Sequence, residues 1–179
     1  VSPDGRFIYF NSNRSGNVQI WRMDAESGEN QTQLTFGEKE TSLLPQISPD
    51  GNILYYLKKG EKKRSIWRKF LDSGKEEILL VEGNITPLIE LSLSPDGNFL
   101  GTCNISETED EENDNQTVQI AIVSTIRIAP PMLFPATGCQ IGWSQNSEAF
   151  DYTENLAKGT KIWRQKIMND SKPEMIMTT

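Results

Sequence analysis

The fold the sequence predicts is all-β: a partial ring of β-propeller type, about four four-stranded antiparallel blades, with the first blade lacking its inner strand. Three observations carry this. Ser-Pro-Asp-Gly stands at Ser2-Pro3-Asp4-Gly5, Ser48-Pro49-Asp50-Gly51 and Ser94-Pro95-Asp96-Gly97, 46 residues apart each time, and a degenerate copy, Ser144-Gln145-Asn146-Ser147, follows after 50. Ile-Trp-Arg recurs at Ile20-Trp21-Arg22, Ile66-Trp67-Arg68 and Ile162-Trp163-Arg164, always 18 residues after the Ser of its turn. No stretch carries the apolar spacing of an amphipathic helix. A period of about 42–50 residues holding four strands is the length of a propeller blade, whereas a β-helix repeats at a much shorter interval.

The elements follow in order along the repeat. Ser-Pro-Asp-Gly encodes a type I turn: Ser at the first position, Pro presetting φ, Asp tolerating the bridge region and Gly closing it. Between apolar runs such a turn is a hairpin connection. Next come strands apolar on both faces, Phe7–Phe10 and Ile53–Leu57, as inner strands sandwiched between blades require. A polar loop leads to the Ile-Trp-Arg strand, and a Gly-containing turn (Glu26-Ser27-Gly28, Asp72-Ser73-Gly74) to a weaker closing strand, Thr32–Phe36, Glu77–Val81 and Glu174–Thr178. A short apolar strand, Leu43–Ile47 or Leu88–Leu93, precedes the next turn. In repeat three the counterpart of Ile-Trp-Arg is Gln119-Ile120-Ala121, displaced by eight residues, which the acidic run Glu107–Asp114 explains as an insertion. The blades then occupy about 1–38, 43–83, 88–136 and 139–179.

Composition narrows the function. A net charge of −7 and a pI near 4.7 oppose nucleic acid and anionic membrane surfaces as partners, and no run approaches the length of a membrane span. Histidine is absent, which removes the usual general base, the common zinc ligand and every Ser-His or Cys-His pair. No nucleophile elbow, dinucleotide fingerprint or phosphate loop occurs. The expectation is therefore no catalysis within these residues, no metal and no cofactor. Cys103 and Cys139 are expected to be two buried thiols, a single bridge between adjacent elements being the alternative. Val1 begins mid-motif, so the chain is expected to be a piece of something longer.

The string Ser2-Pro-Asp-Gly-Arg-Phe-Ile-Tyr-Phe, then Ile20-Trp-Arg-Met-Asp, then Gln33-Leu34-Thr35, resembles the WD-like repeat of TolB and related bacterial propellers, over essentially the whole chain. In detail it is most similar to propellers fused to winged-helix regulators and serine/threonine kinases. The resemblance implies a non-catalytic sensor or scaffold that binds a protein or a small molecule. It favours an extracytoplasmic, periplasmic location over a cytoplasmic one. Such propellers have six or more blades, so remaining blades or a second copy of the chain would cover the end blades. Repeat four departs from the pattern by losing Pro and Gly, so that Asn146 has to supply any left-handed conformation; repeat three has lost its Trp.

Several residues invite sharper readings. Asp4, Asp50 and Asp96 look like repeated catalytic carboxylates, but their fixed place in the turn makes them acceptors for backbone N–H groups. Trp21, Trp67 and Trp163 are blade-packing residues rather than a stacking cage. The basic run Lys58, Lys59, Lys62, Lys63, Arg64 and the acidic Glu109, Asp110, Glu111, Glu112 are read as solvated loops, both between the second and third strands of their blades, and as candidate interaction loops sharing one face. The acidic run lacks the ligand spacing and glycine of a calcium loop. Two further classes stay open: the gating propeller of a prolyl-oligopeptidase-like hydrolase whose catalytic domain lies elsewhere, and a metal-dependent lyase, which needs ligands that this chain does not offer.

Overall fold

The computed structural model describes residues 1–61, 63–81, 90–106, 117–156, 158–168 and 172–178. The acidic run Glu107–Asp114 and Lys62 lie outside the described residues. The chain divides into two compact units, Val1–Gly83 and Asn84–Thr179.

In the first unit, β1 (Phe7–Ser12), β2 (Gln19–Asp24) and β3 (Thr32–Gln33) form a three-stranded antiparallel sheet. The second sheet is β4 (Thr41–Ile47), β5 (Ile53–Lys59), β6 (Arg64–Phe70) and β7 (Glu76–Val81), hydrogen-bonded in chain order. In the second unit, β8 (Ser92–Leu93), β9 (Phe99–Ser106), β10 (Thr117–Ser124) and β11 (Met132–Ala136) make a third sheet, again ordered along the chain. The fourth is β12 (Ile141–Trp143), β13 (Ala149–Asn155), β14 (Thr160–Lys166) and β15 (Glu174–Thr178). These sheets are the four blades. The first lacks an inner strand, and among the described residues there is no helix.

Register shows that the tryptophans are equivalent. Phe10 faces Trp21, Tyr56 faces Trp67 and Tyr152 faces Trp163 across the two middle strands of their blades. In blade three Thr102 faces Ala121. The counterpart of Ile-Trp-Arg is therefore Ile120-Ala121-Ile122, one residue further along than Gln119-Ile120-Ala121. Apolar content alone did not separate the two alignments; the pairing with β9 does. A bulge recurs after the Ile, between Ile66 and Trp67 on β6 and between Ile162 and Trp163 on β14.

Blade one closes sooner than the run Thr32–Phe36 suggested. β3 ends at Gln33, and Thr35 folds inward, its hydroxyl accepting from the Ile20 N–H at 2.9 Å and donating to Gln19 Oε1 at 2.8 Å. A side-chain oxygen here replaces a ladder carbonyl, and Phe36 is left exposed.

Each unit has its own core between its two blades. Ile20 of blade one packs on Leu54 and Tyr56 of blade two, with Leu34, Ile47, Trp67 and Leu71 around them. In the second unit Ile120 and Ile122 meet Ile141, Phe150, Tyr152 and Ile167. The ring of Phe150 takes Phe134 edge-on at 5.2 Å and Trp143 at 6.2 Å. Gly101 leaves the room for β12: a Cβ there would sit 3.1 Å from Ile141 Cγ2 and 3.3 Å from Trp143.

Candidate functional site

The turns are built alike. The Gly N–H donates to the Ser carbonyl at 2.9, 2.8 and 2.9 Å in Gly5, Gly51 and Gly97, each glycine at φ 73–78°. The buried Ser hydroxyl accepts from the N–H of Phe7, Ile53 or Phe99 at 2.9–3.0 Å and donates to the Asp carboxylate. That carboxylate also accepts the N–H of Arg6, Asn52 or Asn98 at 3.0–3.1 Å. Pro3, Pro49 and Pro95 occupy the second position, where no N–H is needed. The Ser hydroxyl, then the backbone N–H, holds the carboxyls of Asp4 and Asp50 below the usual range. At Asp96 burial opposes the shift, and the bonds from Ser94, Asn98 and Ser147 outweigh it.

The degenerate fourth turn keeps this design with different residues. Asn146 Oδ1 accepts from the Ser144 hydroxyl at 2.8 Å and from the Glu148 N–H at 3.3 Å, taking the place of Asp. The left-handed residue is Ser147, at φ 58°, and not Asn146. The expectation for Asn146 is corrected because its acceptor role holds it at the Asp position, one residue before the left-handed one. Ser147 is buried, and its hydroxyl accepts the Asp96 N–H at 3.0 Å, tying the turns of blades three and four. A glycine has no group with which to do this.

In every blade the residue after the third strand donates its N–H to the carbonyl following the first turn: Ala25 to Arg6, Leu71 to Asn52, Thr125 to Asn98 and Ile167 to Glu148, at 2.8–3.0 Å. The two kinds of turn are thereby fixed side by side at one end of each blade. A cation also covers each motif tryptophan: Arg14 over Trp21 at 4.8 Å, Lys58 over Trp67 at 4.1 Å and Lys161 over Trp163 at 5.9 Å. Trp67 and Trp163 sit against the cores of their units.

The basic run does not form one exposed loop. Lys58 lies in β5, where strand alternation puts it on the face of Leu54 and Tyr56, toward blade one. Its side chain is only 10% exposed, with its ammonium 3.7 Å from both Glu40 and Glu76. The assignment of Lys58 as an interaction-loop residue is corrected on that ground. Lys59 ends β5, Arg64 begins β6 and Lys63 sits in the exposed hairpin between them. Burial, with Glu76 and Glu40 close by, pushes the Tyr56 phenol well above its ordinary value.

Cys103 and Cys139 form a disulfide, their Cα atoms 5.2 Å apart, joining β9 of blade three to the strand entry of blade four. The expectation of two free thiols is corrected. β9 and the segment before β12 lie against each other across a blade boundary, a proximity that sequence spacing does not disclose. Next to it Gly138 is pressed on blade four, where a Cβ would fall 1.8 Å from the Thr153 carbonyl oxygen.

Among the described residues, grooves open between the paired blades of each unit. In the second unit one of about 440 Å³ is lined by Glu90, Ile141, Asp151, Tyr152 and Ile162, and its two carboxylates already have partners. Glu90 accepts the Ile141 N–H at 3.1 Å, and Asp151 takes Arg164 at 2.7 and 2.8 Å. In the first unit a groove of about 400 Å³ runs between the turns of blades one and two. Phe7, Tyr9 and Arg22 line it from blade one, and Pro49–Asn52, Leu71 and Asp72 from blade two. Burial raises the Tyr9 phenol, opposed by the positive charge of Arg22 beside it. Arg22 also lies over the Phe7 ring at 4.4 Å. Among the described residues, His, Cys, Asp and Glu nowhere gather three together as a metal site would need.

Paired antiparallel blades with hydrogen-bonded turns at one end define the class, a β-propeller assembled from WD-like repeats. The chain belongs to the TolB beta propeller domain family, whose model matches residues 1–128. It is 54% identical over 39 residues to an uncharacterized protein of Agrobacterium fabrum, which is 21% of this chain and 13% of that protein. TolB from Acinetobacter baumannii shares the fold at a TM-score of 0.65 and 16% identity, across 99% of this chain and 42% of that one. An acylaminoacyl peptidase from Pyrococcus horikoshii does so at a TM-score of 0.63 and 15% identity, across 96% of this chain and 30% of that one. The chain thus spans less than half the length of each of these proteins.

Proposed function

We propose that this chain is a non-catalytic binding module, a sensor or scaffold that engages a protein or small ligand from within a larger bacterial protein. The observation that carries the reading is the fate of the repeated carboxylates. Asp4, Asp50 and Asp96 each accept a hydroxyl and a backbone N–H inside their own turns, so they act as braces rather than as acids or bases. What the repeat builds is a rigid end carrying loops, the usual scaffold for recognition. The disulfide between blades three and four supports an extracytoplasmic location, since such bonds persist in oxidising compartments.

A second reading has one observation in its favour. The likeness to the acylaminoacyl peptidase takes in nearly all of this chain and a minor part of that enzyme, as a gating propeller beside a catalytic domain would. Purified chain incubated with ester, peptide and pectin substrates distinguishes catalysis from binding. No turnover is expected. Turnover abolished by a single carboxylate substitution would overturn the binding-module reading.

A further inference from the structure

We propose that the groove between blades one and two binds a zwitterion, an α-amino acid or short peptide, with its carboxylate on Arg22 and its ammonium at the rim carboxylates of Asp50 and Asp72. This rests on the binding-module reading and names the ligand class for it. Ile-Trp-Arg places an arginine at the same register in three blades, and two of these have a carboxylate of their own. Arg68 meets Glu77 through Nε at 2.7 Å and Nη2 at 2.5 Å. Arg164 meets Asp151 through Nε at 2.7 Å and Nη2 at 2.8 Å.

In blade one both of those carboxylate positions have changed. Tyr9 stands opposite Arg22 on β1, where blade four has Asp151 opposite Arg164. Thr32 stands opposite Arg22 on β3, where blade two has Glu77 opposite Arg68. Among the described residues no carboxylate lies within ion-pair distance of Arg22. Arg22 is half-buried, with its guanidinium carbon 4.4 Å from the centre of the Phe7 ring and Tyr9 directly opposite on β1, so its neighbours confine it before any ligand arrives. A fixed planar fork of donors is the geometry that takes a carboxylate.

The rim sets the rest of the ligand. Asp4, Asp50 and Asp72 all line the groove, so a simple anion meets net repulsion and a simple cation leaves Arg22 unmatched. Asp50 is braced by Ser48 and Asn52, and Asp72 Oδ1 accepts the Ser73 N–H at 2.6 Å. Both are exposed at the mouth with oxygen lone pairs left for an ammonium. Leu71 and Phe7 supply an apolar wall. A group carrying both charges a few ångströms apart is complementary to this arrangement.

The test is calorimetric titration of the full chain at neutral pH with the dipeptide Ala-Leu, its C-terminal amide and its N-acetyl form. Free Ala-Leu is expected to bind, and each blocked form to bind at least about tenfold more weakly, as loss of a charge-assisted hydrogen bond requires. Arg22→Gln should make acid and amide bind alike, while Asp72→Asn, on an exposed turn, should weaken only the forms with a free amine. Equal binding of free and blocked dipeptides, or no binding of Ala-Leu by the folded chain, would overturn the proposal without needing any variant. Chromatography of the same samples separates the two failures. Hydrolysed dipeptide contradicts the binding-module reading; intact dipeptide bound without regard to its ends contradicts the ligand class alone.

Discussion

Cys103→Ala combined with Cys139→Ala removes the covalent tie between blades three and four. The two residues are 36 apart in sequence, and closing a loop of that length in the unfolded chain is worth about 4 kcal/mol in the chain-entropy treatment. Cys103 is fully buried, so replacing its sulfur by hydrogen adds about 1 kcal/mol of lost packing. Against a urea m-value of about 2 kcal/mol/M, the second unit should unfold about 2.5 M earlier. Intrinsic fluorescence in chains that keep only Trp143 and Trp163 follows that unit, and chains that keep only Trp21 and Trp67 follow the first, whose midpoint should barely move. Unchanged unfolding of the second unit, or two free thiols titrated in the denatured unreduced chain, would refute the reasoning and return the cysteines to the buried-thiol reading.

Three other outcomes follow from the same contacts. The turn carboxyls Asp4, Asp50 and Asp96 titrate below their ordinary value when folded, so the stability they contribute is present above about pH 4 and is lost as pH falls through the folded pKa values. Urea midpoints measured from pH 5 down to 2 should show this loss, and a chain with all three changed to Asn should lose less across that window. Lys58→Met leaves Glu40 and Glu76 without their shared cation and should cost about 1–3 kcal/mol in chemical unfolding, whereas Lys63→Met, in the exposed hairpin, should fall within about 0.5 kcal/mol of the parent. Gly138→Ala forces a methyl onto the Thr153 carbonyl and should cost about 3 kcal/mol or more by the same assay, with no effect on the first unit.

How legible each of these was depends on how local its cause is. The turns could be read in full because Ser, Pro, Asp and Gly act within four residues, and three copies in register with Ile-Trp-Arg multiply the signal. The fourth turn was half legible: Asn146 was recognisable as a turn former, but Ser147 takes the left-handed position because its hydroxyl is useful to Asp96, which is 51 residues away. The one-residue error at Ile120 arose where the tryptophan that marks the register is missing. Lys58 was misread as part of a charge run, although alternation from Leu54 and Tyr56 already points it inward. The disulfide was not readable from spacing, since only blade packing brings β9 to Cys139. Arg22 looked like any other repeat arginine. Its distinction is the pair of neighbours Tyr9 and Thr32, which becomes visible once the strands are aligned with those of blades two and four.

The central claim is that Arg68 and Arg164 are engaged by carboxylates of their own blades, while Arg22 is held ready for a ligand. The arginine 15Nε–1Hε spectrum of the full chain, recorded with and without Ala-Leu, tests it directly. Arg68 and Arg164 should give slowly exchanging signals that the dipeptide does not move, and the Arg22 signal should shift and gain protection on its addition. An Arg22 signal already protected in the free chain and unmoved by the dipeptide would contradict the account.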